Sequence, residues 1–176
     1  FYRAATCQRI QAGLDSQGGV VGWSHKVACS SILKFLNPEW ITKEGVDFFS
    51  LWGIVDAPIP PTFSHTVYEF PNFYVEQYLS DLPIPVCPWR SVQNAPNAFV
   101  VECFMDELAK AAGKDPIAFR LPLLKNNMRA RRVLETVAEK AGWGKAMPKG
   151  KGRGIAQHAC FGSYVAQVAD VSVNEG

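Results

Sequence analysis

Apolar and polar residues alternate weakly over residues 7–14 and again from Val20 to Ser30. A period of two is typical of a β-strand with one buried face. Between the two stretches lies Asp15-Ser16-Gln17-Gly18-Gly19, a cluster of residues that favour turns. The pattern therefore predicts a β-hairpin near the start of the chain. His25, on its second strand, is expected to be structural.

Residues 31–63 are rich in apolar side chains but show no clear period. The segment closes with Pro58, Pro60 and Pro61. Because so apolar a loop is unfavourable in water, we expect it to lie on another part of the protein, on a partner or over a pocket. A short helix is predicted around Thr42–Phe49. Val67–Leu79 predicts one or two strands, interrupted at Pro71-Asn72.

Three helices are predicted in the middle of the chain. Residues 98–112 carry apolar side chains at the spacing of a buried stripe, with Asn97 as N-cap and Gly113 just past the end. A second helix starts at Asp115-Pro116 and should end or kink at Pro122. The third covers residues 128–141, has its arginines outward and ends at Gly142.

A glycine- and lysine-rich linker, Trp143–Lys151, precedes two predicted strands at 154–160 and 164–173, joined by a bend at Phe161-Gly162-Ser163. This element order predicts an α+β fold of antiparallel strands and hairpins with about three helices. We interpret residues 1–176 as one segment with three regions. The regions are strand-rich 1–87 with the long apolar loop, helical 88–142, and the linker and terminal hairpin, 143–176.

The composition is that of a soluble globular protein, with 48% hydrophobic and 19% charged residues. Its five cysteines are odd in number and form no CxxC pair, so neither a zinc site nor a disulfide framework is indicated. No apolar run is long enough for a membrane span. The chain opens with Phe1-Tyr2-Arg3 and stops at Asn174-Glu175-Gly176, and we expect it to be a piece of a longer polypeptide.

Charge is unevenly distributed. Residues 120–153 hold 10 basic and 2 acidic side chains, although the net charge of the whole chain is only +2. Such a region could attract an anionic polymer such as nucleic acid. A solvated basic helix face, or a face that meets an acidic partner, is the simpler interpretation, and no nucleic-acid partner is predicted.

The stretch from Pro88 to Asn97 is the main candidate for function, because it carries Arg90 on a loop that leads directly into a helix. A helix start offers free N–H donors, and an arginine beside it suits an anion. Surface or structural roles are the alternative. Glu102 and Asp106 lie one turn apart, but we expect them on the solvated face of the helix and not in catalysis.

Several runs together resemble the molybdopterin-binding large subunits of the xanthine oxidase family, especially its isoquinoline 1-oxidoreductase branch and related bacterial aldehyde-oxidising enzymes. These runs are Pro88-Trp89-Arg90-Ser91-Val92, Asn97–Glu102, Asp106–Ala109, Gly113–Pro116, Phe119-Arg120, Ala141–Gly144, Gly152–Gly154 and Phe161–Ala166. The resemblance implies that this chain is an internal segment, a subdomain of the molybdopterin-binding region. It covers nearly the whole chain.

The resemblance also implies a chemistry. Such subunits hold molybdenum through a pterin cofactor and hydroxylate an N-heterocycle or an aldehyde with oxygen from water. Electrons pass to a small subunit with two iron–sulfur clusters. By the same match, Trp89 and Arg90 approach the molybdenum end of the cofactor, where Arg90 orients groups and offsets negative charge. Phe161 matches an aromatic residue that lines the substrate pocket. No residue here matches a metal ligand.

The resemblance also shows what this chain lacks. The catalytic glutamate of the family and most of its cofactor loops lie outside the 176 residues, so we expect no catalytic residue here. The isolated chain is expected to bind no cofactor tightly and to be inactive. Its partners would be the rest of the large subunit and the iron–sulfur subunit, in a bacterial cytoplasm or periplasm. The alternative is a non-catalytic module that docks a protein or an anionic polymer through residues 31–63 and 120–153.

Overall fold

A computed structural model describes residues 1–56, 64–65 and 67–173 of the chain. Pro58, Pro60 and Pro61, and the chain end at Asn174-Glu175-Gly176, lie outside these residues. Strands and α-helices follow in the order β1 Thr6–Leu14, β2 Val20–Cys29, α1 Leu33–Leu36, β3 Val55–Asp56, β4 Ser64–His65, β5 Phe73–Leu79, α2 Asn94–Ala111, α3 Pro116–Arg120, α4 Met128–Ala141, β6 Lys151–Cys160 and β7 Ser163–Ser172.

The predicted first hairpin is confirmed. β1 and β2 pair antiparallel, and in the turn between them Asp15 accepts backbone hydrogen bonds from Gln17 and Gly19, both of 2.8 Å. β5 adds to the other edge of β2 in the parallel direction, and Pro71-Asn72 lies just before it. A parallel pairing needs a long crossover, and the sequence between Cys29 and Phe73 is long enough for one.

Residues 31–56 lie partly in the core of this chain. Leu51, Ile54 and Val55 pack against Val27 and Cys29 of β2. The helix predicted at Thr42–Phe49 is wrong, because the helical turns of this segment are α1 and two short 3₁₀ helices, Pro38–Trp40 and Phe48–Leu51. The aromatic and aliphatic side chains that remain exposed are Phe35, Leu36 and Trp40.

α2 begins earlier than predicted. Its first residue is Asn94, so Asn97 lies inside the helix and the prediction that it is the N-cap is wrong. The helix can include Pro96 because the N–H groups of a first turn have no partner within the helix. The other end agrees with the sequence: Gly113 follows the C-cap with a φ of 64°.

The next two helices confirm the starts and ends that the sequence predicts for them. Asp115 caps α3 by accepting hydrogen bonds from the backbone N–H groups of Ile117 (2.9 Å) and Ala118 (3.0 Å). α3 ends at Arg120, and a 3₁₀ turn that contains Pro122 follows over Leu121–Leu124. α4 ends at Gly142, whose φ of 62° is left-handed.

β6 and β7 form the predicted terminal hairpin, which packs on α4. The main core joins this hairpin to the first sheet through α2, α3 and α4. Its buried members include Trp23, Phe70, Met105, Leu124, Leu134 and Ile155. Antiparallel hairpins and helices around a shared core confirm the predicted α+β class.

The five cysteines all lie within the described residues, and none of them forms a disulfide bond. Within the same residues, no helix has the length and apolarity needed to cross a bilayer. This part of the chain also contains no group of three or more histidine, cysteine, aspartate or glutamate side chains arranged to hold a metal ion.

Candidate functional site

Trp89 and Arg90 lie on a tight, exposed turn just before α2, and 60% of the Trp89 surface is accessible. The two residues that follow, Ser91 and Val92, have φ angles of 68° and 53°. The N–H of Val92 donates to the carbonyl of Trp89 at 2.6 Å. A β-branched residue with positive φ is a backbone outlier, and such strain concentrates at functional sites.

The turn is held from the N-terminal segment. The guanidinium of Arg3 donates to the carbonyl of Val92 and, at 3.0 Å, to that of Arg90. Gln93, fully buried at the start of α2, lies beside the carbonyl of Ala4. Within the described part of the chain, the guanidinium of Arg90 forms no hydrogen bond or ion pair. The turn therefore presents an available cation on a restrained backbone.

Phe161 lies at the bend between β6 and β7 with a φ of 50° and 69% of its surface accessible. Trp52 meets its ring edge to face, with the ring centroids 5.4 Å apart. Arg129 of α4 supports the bend, because its guanidinium donates to the carbonyl of Gly162 at 3.0 Å and lies 4.4 Å from the ring centroid of Tyr164. The sequence did not single out Trp52.

Two asparagines on the first turn of α2 connect these segments. Asn97 donates to the carbonyls of Ser50 (3.1 Å) and Trp52 (2.9 Å). The side-chain oxygen of Asn94 lies 2.9 Å from the ring nitrogen Nε2 of His158, a residue near the end of β6 and shortly before Phe161 in the chain. The structure thus brings the Trp52–Phe161 pair to the start of α2. Trp89 and Arg90 are linked to that group through the backbone of residues 91–93.

His25 lies at the end of the same network. Asn97 must aim its NH₂ group at the two carbonyls, so its oxygen accepts from Gln8 at 2.8 Å. The oxygen of Gln8 then faces Nε2 of His25 at 2.7 Å, which makes Nε2 the protonated nitrogen of a neutral ring. Nδ1 of His25 is buried and has no partner among the described residues. Burial lowers the pKa of His25 from 6.5 to about 4.

This histidine predicts an acid sensitivity. Between the unfolded pKa of 6.5 and the folded value of about 4, the unfolded state binds the extra proton. Stability is therefore full above pH 6.5 and falls as the pH drops, by about 3 kcal/mol in total. Chemical denaturation across this range should show the fall in wild type and a smaller one in His25→Leu. Parallel pH profiles for the two proteins would refute the assignment.

Glu102 is not solvated, and the sequence-based expectation for it is wrong. It is only 6% exposed, accepts a 2.6 Å hydrogen bond from the hydroxyl of Tyr68 and pairs with Arg120 at 3.1 Å. Burial raises the pKa of Glu102 against the opposing effect of Arg120. Asp106 also pairs with Arg120, at 2.8 Å, although its side chain is partly exposed. The physical reason is Arg120, which α3 brings over this face of α2.

Part of the basic region is also engaged within the fold. Arg120 is fully buried, Arg153 pairs with Asp170 at 2.6 Å, and Arg131 pairs with Glu135 at 2.8 Å. These contacts reduce the free positive charge that residues 120–153 can offer to an anionic polymer.

Comparison with known proteins gives relatives along nearly the whole chain. It is 26% identical to the beta subunit of isoquinoline 1-oxidoreductase from Brevundimonas diminuta over 99% of its own length and 22% of that protein. It is 29% identical to a nicotinate dehydrogenase subunit of Pseudomonas putida over 97% of its length and 15% of that protein. A membrane-bound aldehyde dehydrogenase of Gluconacetobacter polyoxogenes, whose name includes pyrroloquinoline quinone, is 26% identical over 90% of this chain and 22% of its own length. No protein-family model matches the sequence.

Among solved structures, the aldehyde oxidoreductase of Desulfovibrio gigas superposes with a TM-score of 0.52 at 16% identity, over 88% of this chain and 18% of that one. At this identity the likeness shows a shared fold. The relatives confirm the resemblance to molybdopterin-binding large subunits of the xanthine oxidase family, and to isoquinoline 1-oxidoreductase within it. The chain spans about a fifth of the length of these relatives.

Proposed function

We propose that this chain is part of the large subunit of a molybdenum hydroxylase. The whole enzyme would oxidise an N-heterocycle or an aldehyde with water as oxygen donor and pass the electrons to a small subunit with two iron–sulfur clusters. The observation that carries the proposal is similarity over 99% and 97% of the chain to subunits named for isoquinoline and nicotinate oxidation. Activity would belong to the whole subunit, of which this chain supplies one part.

The Trp89-Arg90 turn fits one wall of such a cofactor site. A molybdenum–pterin cofactor carries anionic ligands, and the guanidinium of Arg90 is an available donor and cation on a restrained turn. When bound, the cofactor supplies the two-electron oxidation of the substrate carbon. Arg90 would orient groups beside the metal and offset negative charge there. Trp89 would shape the pocket, and Phe161 would line the side where the substrate binds.

The chain supplies no proposed general base. Glu102 and Asp106 are the paired carboxylates of the α2 region, and both are engaged by Arg120. The base and most of the cofactor cradle are proposed to come from the rest of the large subunit. Arg90 would therefore act by binding and orientation, not by moving a proton.

The test uses the full-length parent protein with its small subunit. We expect molybdenum and pterin in it, and oxidation of isoquinoline, nicotinate or an aldehyde with ¹⁸O from labelled water. Arg90→Ala should lower kcat/KM by about 10²-fold, the effect of losing one preorganised donor. Arg132→Ala, which removes an exposed arginine of α4, is the matched control and should change it little.

Two outcomes would overturn the proposal. One is a parent protein without molybdenum whose oxidation of an aldehyde depends on added pyrroloquinoline quinone. The other is an inactive parent that binds nucleic acid in a salt-sensitive manner. The second outcome would support a non-catalytic docking module, which the exposed side chains of Phe35, Leu36 and Trp40 favour and the internally paired arginines disfavour.

A further inference from the structure

The first turn of α2 carries two buried amide side chains that form hydrogen bonds with other segments of the chain. Asn97 is fully buried, and Asn94 is 5% exposed. The Nδ2 group of Asn97 donates to the carbonyls of Ser50 at 3.1 Å and Trp52 at 2.9 Å. Two carbonyls can only accept, so the orientation of this amide is determined by its partners. Both N–H groups of the Asn97 side chain therefore donate to the loop that carries Trp52.

Packing holds the same loop from the other side. Gly53, with a φ of 96°, lies so close to α2 that an added Cβ would be 3.1 Å from Cβ of Asn97 and 3.2 Å from Cα of Asn94. Any residue other than glycine would meet both a clash and an unfavourable backbone conformation here. The loop can therefore approach the helix closely enough for the Asn97 amide to reach two of its carbonyls.

Trp52 in turn supports Phe161. The two rings meet edge to face at 89°, with centroids 5.4 Å apart, a favourable aromatic geometry. Phe161 has a φ of 50° and is mostly exposed, so its position depends on such a contact. A displacement of Trp52 would remove the ring on which Phe161 rests.

We propose that Asn97 is a positioning residue that holds Trp52 against Phe161 and so aligns this aromatic wall with the Trp89-Arg90 turn at the start of the same helix. The meaning of that wall as a substrate surface rests on the proposed function. The geometric part does not, because it concerns only the relation between Asn97, Trp52 and Phe161.

The direct test is ¹⁹F NMR of the chain labelled with 5-fluorotryptophan. Trp52→Phe assigns the Trp52 resonance, and Phe161→Leu shows its position without the neighbouring ring. Asn97→Asp turns both donors into an acceptor that faces two carbonyls, so the Trp52 resonance should shift away from its wild-type position, as it does in Phe161→Leu. Gln8→Leu removes the partner of the Asn97 oxygen and of His25 Nε2 but leaves both Asn97 donors on their carbonyls, so it should leave that resonance in place.

A second variant, Asn97→Ser, keeps the test informative if Asn97→Asp does not fold. Asn97→Ser keeps one hydroxyl donor, which can serve only one of the two carbonyls, so its Trp52 resonance should lie between the wild-type and Asn97→Asp values. An unchanged Trp52 resonance in folded Asn97→Asp or Asn97→Ser, with Phe161→Leu still shifted, overturns the inference. A general loss of stability alone would lower Tm without moving this signal in the folded protein.

Kinetics of the full-length holoenzyme separate the two proposals. Asn97→Ser should raise KM for a bicyclic heterocycle by about tenfold, since small misplacements near a site are costly, and leave kcat for a small aldehyde nearly unchanged. If the ¹⁹F signal moves while KM for the heterocycle stays constant, Asn97 positions Trp52 as inferred, and the substrate role proposed for Phe161 fails. If neither responds, the positioning role is overturned.

Discussion

Replacing Arg120 with methionine is expected to lower the free energy of unfolding by about 3–5 kcal/mol, the usual result of removing one partner of a buried ion pair. Arg120 is fully buried and donates to the carboxylate of Glu102, the hydroxyl of Tyr68 at 3.0 Å and the carbonyl of Pro116 at 3.1 Å. Methionine fills similar space but leaves the Glu102 carboxylate in the core without its cation. Burial lowers the pKa of Arg120, but Tyr68, Glu102 and Asp106 outweigh it and the pKa is raised overall.

Arg131→Met is the matched control. Arg131 pairs with Glu135 at 2.8 Å on the solvent side of α4, and an exposed pair of this kind contributes about 0.5 kcal/mol or less. Urea unfolding of both variants measures the difference. Equal losses for the two variants would show that the buried network contributes no more than a surface pair. A second comparison, Arg120→Met combined with Glu102→Leu, should recover part of the loss, because the core then holds no unpaired charge and the partly exposed Asp106 can be solvated.

Asp47→Ala is expected to be similarly damaging, at about 3–5 kcal/mol, because several buried donors lose their acceptor at once. One oxygen of Asp47 accepts from the hydroxyl of Ser31 (2.8 Å) and the N–H groups of Ile32 (2.6 Å) and Leu33 (2.9 Å). The other accepts from Phe49 and Ser50 at 2.9 and 3.3 Å, which caps the 3₁₀ helix Phe48–Leu51. Thermal unfolding followed by circular dichroism measures the loss.

Asp15→Ala provides the control for Asp47. The Asp15 carboxylate also accepts from two backbone N–H groups, but it does so in the exposed turn between β1 and β2, where water can replace it. Its removal should lower Tm far less than Asp47→Ala. Asp47→Asn, which keeps one acceptor oxygen and adds an unwanted donor, should lie between wild type and Asp47→Ala. A Tm for Asp47→Ala close to that of Asp15→Ala would contradict the expectation.

The parts of the fold that the sequence predicted well have local causes. The alternation in residues 7–14 and the turn at Asp15 gave the first hairpin, and Asp115-Pro116 and Gly142 gave the limits of α3 and α4. Each signal acts through neighbours in the chain, such as a cap or a left-handed glycine. The start of α2 was predicted wrongly because Asn97 uses its amide for the carbonyls of Ser50 and Trp52, which lie far away in sequence.

The candidate site divides in the same way. Trp89, Arg90 and Phe161 came from a resemblance to a family, and their roles at a cofactor or substrate stay predictions. Trp52 and His158 were missed because no local pattern marks them. Their importance comes from contacts with Phe161 and Asn94, which only the folded chain provides. A polar pair at positions 94 and 97, one turn apart, was the available signal, but it was assigned to a loop and a cap.

The residue pattern alone determines the α+β class, the two hairpins and the helices α2, α3 and α4 apart from the start of α2, because period, caps and turn residues act over a few positions. The order of residues could not determine which polar groups are buried together. Glu102 has the spacing of a solvated residue, and only the passage of Arg120 across α2 makes it the centre of a buried network. Likewise, Arg90 is available while Arg120 is engaged, since burial and pairing depend on which distant segments meet in the tertiary structure.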